Sequence, residues 1–385
     1  MTSDGAGPVL PRYGHRSLAE VFPALLAALG VPGPAPELAV EPVRAAALLL
    51  VDGLGTELLR AHAADAPFLA GLPDAGPLTA GFPSSTSISL TSLGTGLPPG
   101  AHGMVGITLR AGAGELLDTL KWTSYNCGKP VDLRERFPPE QVQPLPTALE
   151  RAVADGVHVA TVTKREFRGS GLTQAALRGG EFRGVQALGD LAAEVITALN
   201  GPGRRLCYGY HADLDALGHL YGPGSLPWRL QLAQIDHLAA LIAEHLPSDA
   251  LLAVTGDHGM VAIDRRFDAD THPDLQHGVA LLGGDPRSRH VYTHPGAAPE
   301  VLATWREVLG PHAWVASREQ AVAEHWFGPL SDHVADRIGD VVVAMRGTAA
   351  VIRSTAEARL SGLPGQHGSL SAEEQYVPLL LARSD

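Results

Sequence analysis

The sequence predicts an α/β fold, a sheet with helices packed on both of its faces. Short aliphatic runs alternate with stretches whose apolar residues recur at helical spacing. The runs stop abruptly at polar or glycine-containing sequence, as buried strands do. With 385 residues, 45% of them apolar, the chain can bury a sizeable core, as one large α/β domain with an insertion or as two average domains.

A helix is expected over 18–29, ahead of a first strand, Ala45–Val51, with the sequence AAALLLV. Further along, helices over 147–154, 187–199 and 229–246 each precede a strand, at 157–162, 206–210 and 251–254. Within the last helix, Leu230, Leu232, Ile235, Leu238, Leu241 and Ile242 form one apolar stripe. Three of the strands run straight into polar motifs: Val51 into Asp52, Tyr210 into the segment of Asp215, and Val254 towards Asp257. Ligands of open α/β sheets gather at the carboxyl ends of strands, so these distant segments are expected to meet there. The stretch 264–345 is poor in long apolar runs and reads as a small cap-like insertion. Residues 1–263 then form a catalytic core with a lid segment near 105–146, and 346–385 return to that core.

Composition narrows the partners. The formal charge is -12 and no dense Lys/Arg run occurs, so nucleic-acid polymers and anionic membrane surfaces are excluded as expected partners. A small anionic substrate remains compatible, because bound cations reverse the potential locally. Cys127 and Cys207 make no disulfide framework. The start, MTSDGAGPVLPRYGHRS, lacks the basic and apolar blocks of a secretory signal, and no run has the length of a membrane span. A soluble, cytoplasmic protein is the expectation.

Five separated segments offer ligands for hard or borderline metal ions: VDGLG with Asp52, FPSSTSIS with Thr86, DLDALGH with Asp215 and His219, TGDHGM with Asp257 and His258, and GQHGS with His367. Six carboxylate or imidazole ligands and one hydroxyl suffice for two divalent ions with an open edge on each. Asp52 taken alone would cap the next helix. In FPSSTSIS, a hydroxyl at a helix N-terminus meets unpaired N–H groups and a positive dipole end, a setting for a phosphate oxygen or an alkoxide. Ser84, Ser85, Thr86 and Ser87 compete for that place, as Asp213 competes with Asp215. An Asp and a His four apart lie on one face of a helical turn. Adjacent Asp257 and His258 at a buried strand end need pairing or a metal. Of the seventeen histidines, His102, His211, His277 and His290 are set aside, His102 as a support of the hydroxyl-bearing helix.

In their order, VDGLG, PSSTSIS with GTGLPPGAHG, DLDALGHLYGPGS, TGDHGM and GQHGS resemble the alkaline phosphatase superfamily, and within it the nucleotide pyrophosphatase/phosphodiesterase branch. The resemblance spans residues 51–369 and implies an alkaline-phosphatase-like mixed sheet. It implies that Asp52, Thr86, Asp257 and His258 hold one Zn2+, that Asp215, His219 and His367 hold a second, and that Thr86 is the nucleophile. The implied activity is hydrolysis of small phosphodiesters or phosphoanhydrides through a threonyl-linked intermediate. Phosphomonoesterase, phosphomutase and phosphonate hydrolase are the alternatives within the superfamily; a non-catalytic metal- or nucleotide-binding protein is the alternative outside it. Ser89 stands where the family commonly carries Asn, and it is the expected phosphate contact. Lys121, Trp122, Tyr125 and Lys164 are the other expected substrate contacts, Trp122 and Tyr125 by stacking. Lys164, Arg165 or Arg168 at the phosphate would favour monoesters instead.

Overall fold

The computed structural model describes residues 7–112, 114–125 and 129–384; Cys127 lies outside the described residues. Its centre is a sheet of strands β1 (Ala45–Val51), β2 (His158–Lys164), β3 (Glu181–Val185), β4 (Arg205–His211), β5 (Ala250–Gly256) and β6 (Leu379–Arg383), in the spatial order β6-β5-β1-β4-β2-β3. All neighbours are parallel except β6, which runs antiparallel to β5 and makes the sheet mixed. Every residue of β1 is buried, because the strand is covered on both faces. Ala46, Leu48 and Leu50 pack with helix Val21–Ala28 and with Leu90 and Leu93. Ala45, Ala47, Leu49 and Val51 pack with helices α2 (Leu188–Leu199) and α4 (Leu226–Glu244) on the other side. Leu90 and Leu93 belong to helix α1 (Thr86–Thr95), and helix α3 (Asp213–Tyr221) follows directly on the carboxyl end of β4.

Register sets the site. Val51 is level with His211 on β4 and with Gly256 on β5. The residues that follow those three strand ends, Asp52, Ala212 and Asp257, therefore emerge side by side.

Within 264–345, the structure has an antiparallel sheet of Val279–Asp285, Ser288–Thr293, Val341–Met345 and Ala313–Ser317, in that spatial order. One face packs on Trp305 of helix Ala298–Leu309; the other shares a cluster with Phe82, Met104 and Leu117. Chain pairings on either side, Arg265–Asp268 with Ala349–Ile352 and Val261–Ala262 with Gly365–Gln366, lead into and out of this excursion. Two fully buried ion pairs tie it to the C-terminal segment. Arg287 Nη2 lies 2.6 Å from Glu374 Oε2, and Arg289 Nη2 lies 2.7 Å from Glu357 Oε2. Both arginines bond their carboxylates through two nitrogens, which compensates part of the burial penalty.

Candidate active site

The β1 turn is built for close approach. Gly53 has φ +78°, and a Cβ there would stand 3.0 Å from the Asp215 Cα. A Cβ on Gly55 would reach within 2.6 Å of the Gly259 Cα. The Gly53 N–H donates to Asp257 Oδ1 at 2.9 Å, so the first motif orients the carboxylate of the fourth. Asp52 itself is held by Tyr210, whose hydroxyl donates to Asp52 Oδ2.

The structure brings all seven expected ligand residues into one cluster. His258 Nε2 lies 3.3 Å from Asp257 Oδ2, 3.5 Å from Asp52 Oδ1 and 3.3 Å from Thr86 Oγ1. Beside it, His219 Nε2 is 3.4 Å from Asp215 Oδ2, and His367 Nε2 is 3.6 Å from Asp215 Oδ1 and 3.2 Å from His219 Nε2. Donor atoms of Asp215, His219 and His367 lie within 4.8 Å of one another, as do those of Asp52, Asp215 and His258. Asp215 is thus common to both groupings.

Proton positions follow from the partners. Nδ1 of His219, His258 and His367 meets the carbonyls of Gly365, Gly259 and Ser84, which can only accept, so each Nδ1 carries the hydrogen. Each Nε2 then presents a lone pair to the cluster, the arrangement of metal-binding histidines. Burial holds the His258 and His367 imidazoles below their ordinary pKa, so both stay neutral. Burial likewise raises Asp52, Asp215 and Asp257, with the mutual repulsion of Asp52 and Asp257 adding to it for Asp52. Asp52 Oδ1, Asp215 Oδ1 and Asp257 Oδ2 are buried without a hydrogen-bond partner among the described residues. Lone pairs and carboxylates facing one another with orphaned oxygens are unfavourable unless cations lie between them. The donor set fits divalent metal ions of the zinc type.

The hydroxyl competition resolves by partner. Ser84 Oγ donates to Ser369 O, Ser87 Oγ accepts from Thr119 Oγ1, and Ser89 Oγ donates to Asp257 O at 2.7 Å. Ser85 is the N-cap residue of α1 but makes no side-chain cap. Thr86, the first residue of that helix, is the one whose hydroxyl meets His258 Nε2. Asp213 is occupied by Lys164, Nζ to Oδ1 at 2.6 Å, which leaves Asp215 to the cluster.

Two clefts open beside the cluster. One, about 340 Å³, is lined by Asp52, Thr86 and Tyr210; the other, about 560 Å³, by His219, Tyr125 and Arg359. Lys121 and Asp215 line both. Several expected substrate contacts need correction. Trp122 is fully buried, with its indole N–H donating to Phe137 O at 2.7 Å, so its ring is core and cannot stack on a substrate. The single Ser89 O–H is already given to Asp257 O, so it positions that residue's backbone and is no free phosphate donor. Lys164, Arg165 and Arg168 line neither cleft; Lys164 is paired with Asp213, and Arg168 Nη2 donates to Phe182 O.

Among the histidines set aside, His102 accepts from Met104 N through Nδ1 and bonds Ser92 Oγ through Nε2, so it does buttress α1. His211 pairs with Gln231, and His290 bonds Val105 O. His277 is exposed near Glu300. Sequence reasoning missed Tyr210 and Tyr208. Their two-residue spacing in RLCYGYH, at the end of a strand that leads to a metal-type motif, puts both on one sheet face.

The sequence profile of the type I phosphodiesterase / nucleotide pyrophosphatase family matches residues 46–370. This chain belongs to that family. The family is typically bimetallic. No curated protein sequence matches the chain significantly. Among solved structures, murine ectonucleotide pyrophosphatase / phosphodiesterase 5 is similar at 18% identity over 88% of each chain, with a TM-score of 0.66. An inactive form of the same murine protein in complex with AMP matches at 17% identity over 87% of each chain, TM-score 0.65. Phosphonoacetate hydrolase from Sinorhizobium meliloti 1021, in complex with phosphonoformate, matches at 21% identity over 89% of this chain and 90% of its own, TM-score 0.63. At these identities the likeness shows the shared fold. No helix among the described residues is long and apolar enough to cross a membrane.

Proposed function

We propose that this family member hydrolyses small phosphodiesters or phosphoanhydrides, with Thr86 as the nucleophile. The observation that carries the reading is Thr86 Oγ1 at the N-terminus of α1, 3.3 Å from His258 Nε2, inside a ring of carboxylates with unmet oxygens. Asp52, Thr86, Asp257 and His258 would hold one divalent cation, and Asp215, His219 and His367 the other. When bound, two Zn2+ ions supply Lewis acidity that lowers the threonine pKa and neutralises phosphate charge.

The chain's own part is positional. Thr86 Oγ1 attacks phosphorus, the P–O bond to the departing group breaks, and a threonyl phosphate ester remains until water cleaves it. The N–H groups of the first α1 turn, which a helix leaves without intrahelical partners, would stabilise the equatorial oxygens. Three cationic side chains are engaged elsewhere, Lys164 by Asp213, Arg287 by Glu374 and Arg289 by Glu357, which leaves Lys121 as the one cation among the described residues that line the cleft at Thr86. That favours the singly charged phosphate of a diester over a monoester.

A second reading draws on Lys121, which lines both clefts next to Asp215, with its Nζ 4.0 Å from Asp118 Oδ2. A phosphonate that carries a carboxylate would place its extra charge at this ammonium.

The test is turnover of nitrophenyl nucleotide diesters, nitrophenyl phosphate and phosphonoacetate, before and after chelation and zinc re-addition. Diester turnover should dominate and should depend on the metal. Thr86→Ala should lower it by roughly three orders of magnitude or more. Retained turnover in that variant, with metals still bound, would remove the nucleophile assignment.

A further inference from the structure

Arg359, on the wall of the larger cleft, is a cation without a partner. The residue is exposed, and its guanidinium makes neither a hydrogen bond nor an ion pair among the described residues. The carboxylates that line the same cleft are engaged. Glu357 is held by two nitrogens of Arg289 in a buried pair. Asp118 Oδ1 accepts from the backbone N–H groups of Leu120 and Lys121, both at 3.0 Å, and its Oδ2 lies 4.0 Å from Lys121 Nζ. Asp215 belongs to the metal-type cluster. Arg359 is therefore the surplus positive charge of this cleft.

The junction of the two clefts decides which half of a substrate Arg359 faces. Leu120, Lys121, Asp215 and Ala216 line both clefts, whereas Thr86 lines only the smaller and His219 only the larger. A phosphorus atom under attack by Thr86 Oγ1 sits at that junction. Displacement at phosphorus is in line, with the attacking and departing oxygens on opposite sides. The departing half thus points away from Thr86, past His219, into the larger cleft, whose volume of about 560 Å³ has room for a second phosphate and its substituent. Lys121 borders both halves and does not discriminate between them; Arg359 lines the larger cleft alone.

We infer that Arg359 is a specificity-determining residue that receives an anionic group on the departing half of the substrate, a second phosphate joined through an anhydride oxygen. The inference rests on the hydrolase reading and deepens it, because it separates phosphoanhydrides from diesters that release an alcohol or a phenol. As the anhydride opens, the Thr86 Oγ1–P bond forms and the hydroxyl proton passes to solvent. The P–O bond to the bridging oxygen breaks, and its electron pair leaves on that oxygen. The departing phosphate gains one negative charge, so the guanidinium holds it more tightly in the transition state than in the ground state. A released phenol carries no anionic group beyond the broken bond, and Arg359 has nothing to hold.

Symmetrical diphenyl diphosphate, with one phenyl ester on each phosphate, and phenyl para-nitrophenyl phosphate transfer the same phenylphosphoryl group to Thr86. They differ only in what departs. Both should be assayed with the zinc-loaded wild type and with Arg359→Gln and Arg359→Lys. The ratio of kcat/KM, diphosphate over nitrophenyl ester, should fall on the order of tenfold in Arg359→Gln, as loss of one charged hydrogen bond allows. Arg359→Lys should restore part of it. Calorimetric titration with the non-cleavable methylene-bridged analogue of the diphosphate should show weaker binding to Arg359→Gln than to the wild type, by a smaller factor than the kinetic one. Metal content and melting temperature establish that each variant is folded and loaded. A ratio unchanged in Arg359→Gln, the result of a merely structural arginine, would overturn the inference. So would a wild type that cleaves the nitrophenyl ester and leaves the diphosphate intact. A zinc-loaded wild type that cleaves neither compound would instead overturn the hydrolase reading itself.

Discussion

His219 Nε2 and His367 Nε2 face each other at 3.2 Å, and in both rings the Nδ1–H is already donated to a backbone carbonyl. Two lone pairs at that distance repel, and the adjacent Asp215 carboxylate adds negative charge. A metal cation between them removes the conflict, so metal binding and stability are linked. Melting temperature should fall on chelation and recover with Zn2+, by the equivalent of about 4 kcal/mol per site when free metal stands about a thousandfold above its dissociation constant. Identical melting curves in chelator and in zinc would refute a cation at this place.

Tyr210 turns Asp52 so that one oxygen is bonded and the other is left for the cluster. Tyr210→Phe keeps the ring in its packing and frees the carboxylate to rotate. Metal affinity should drop by about 10–100-fold, the usual effect of losing such a supporting hydrogen bond. Competition with a chromophoric chelator measures it. An affinity equal to wild type would show that Tyr210 does not orient Asp52.

Ser89 separates two roles. If its hydroxyl touched phosphate, Ser89→Ala would raise KM; if it anchors the Asp257 backbone, the loss appears as stability instead. The 2.7 Å bond to Asp257 O predicts the second outcome. A destabilisation of about 1 kcal/mol is expected, with KM altered by less than about twofold. Denaturant titration and steady-state kinetics on the same preparation decide between them.

Asp285 lies buried beside Ser85, and burial pushes its carboxyl up to about 8 against the opposing pull of Arg289. Its folded pKa therefore exceeds the unfolded one. The stability it allows is fully present below the unfolded carboxylate value and is lost as pH rises towards about 8. Asp285→Asn removes the ionisation while keeping the shape. The stability difference, variant minus wild type, read by denaturant titration, should grow from pH 5 to pH 8.5, by at most roughly 4 kcal/mol. A difference that stays flat across that range would show that Asp285 does not titrate with this sign.

Much of the central sheet was legible because parallel strands buried on both faces are continuous aliphatic runs. The expected strand at 45–51 coincides with β1, and the helix expected at 187–199 begins one residue later as α2. The sheet inside 264–345 was harder to see. RSRHVYT, the strand Ser288–Thr293 with Arg287 just ahead of it, hides two buried arginines whose charges are met by Glu357 and Glu374, far along the chain, so its burial has no local signature. EFRGV, the edge strand β3, is too exposed to show an apolar run, and the antiparallel direction of β6 is a property of the assembled sheet alone. The expectation that Trp122 stacks on substrate fails because nothing near it in sequence announces Phe137 as its acceptor.

By itself the sequence determined the inventory: which carboxylates, imidazoles and hydroxyls exist, their order, and that Asp52 and Asp257 follow buried strands. Such information is local, because hydrophobic patterning is written residue by residue. Tertiary structure alone decided the allocation. Lys164 withdraws Asp213, Asp257 O takes the Ser89 hydroxyl, and the level ends of β1, β4 and β5 leave Thr86, Asp215 and three lone-pair nitrogens facing one space. Hydrogen bonds and ion pairs act at contact distance, so which of several equivalent side chains remains free depends on neighbours that only the folded chain supplies.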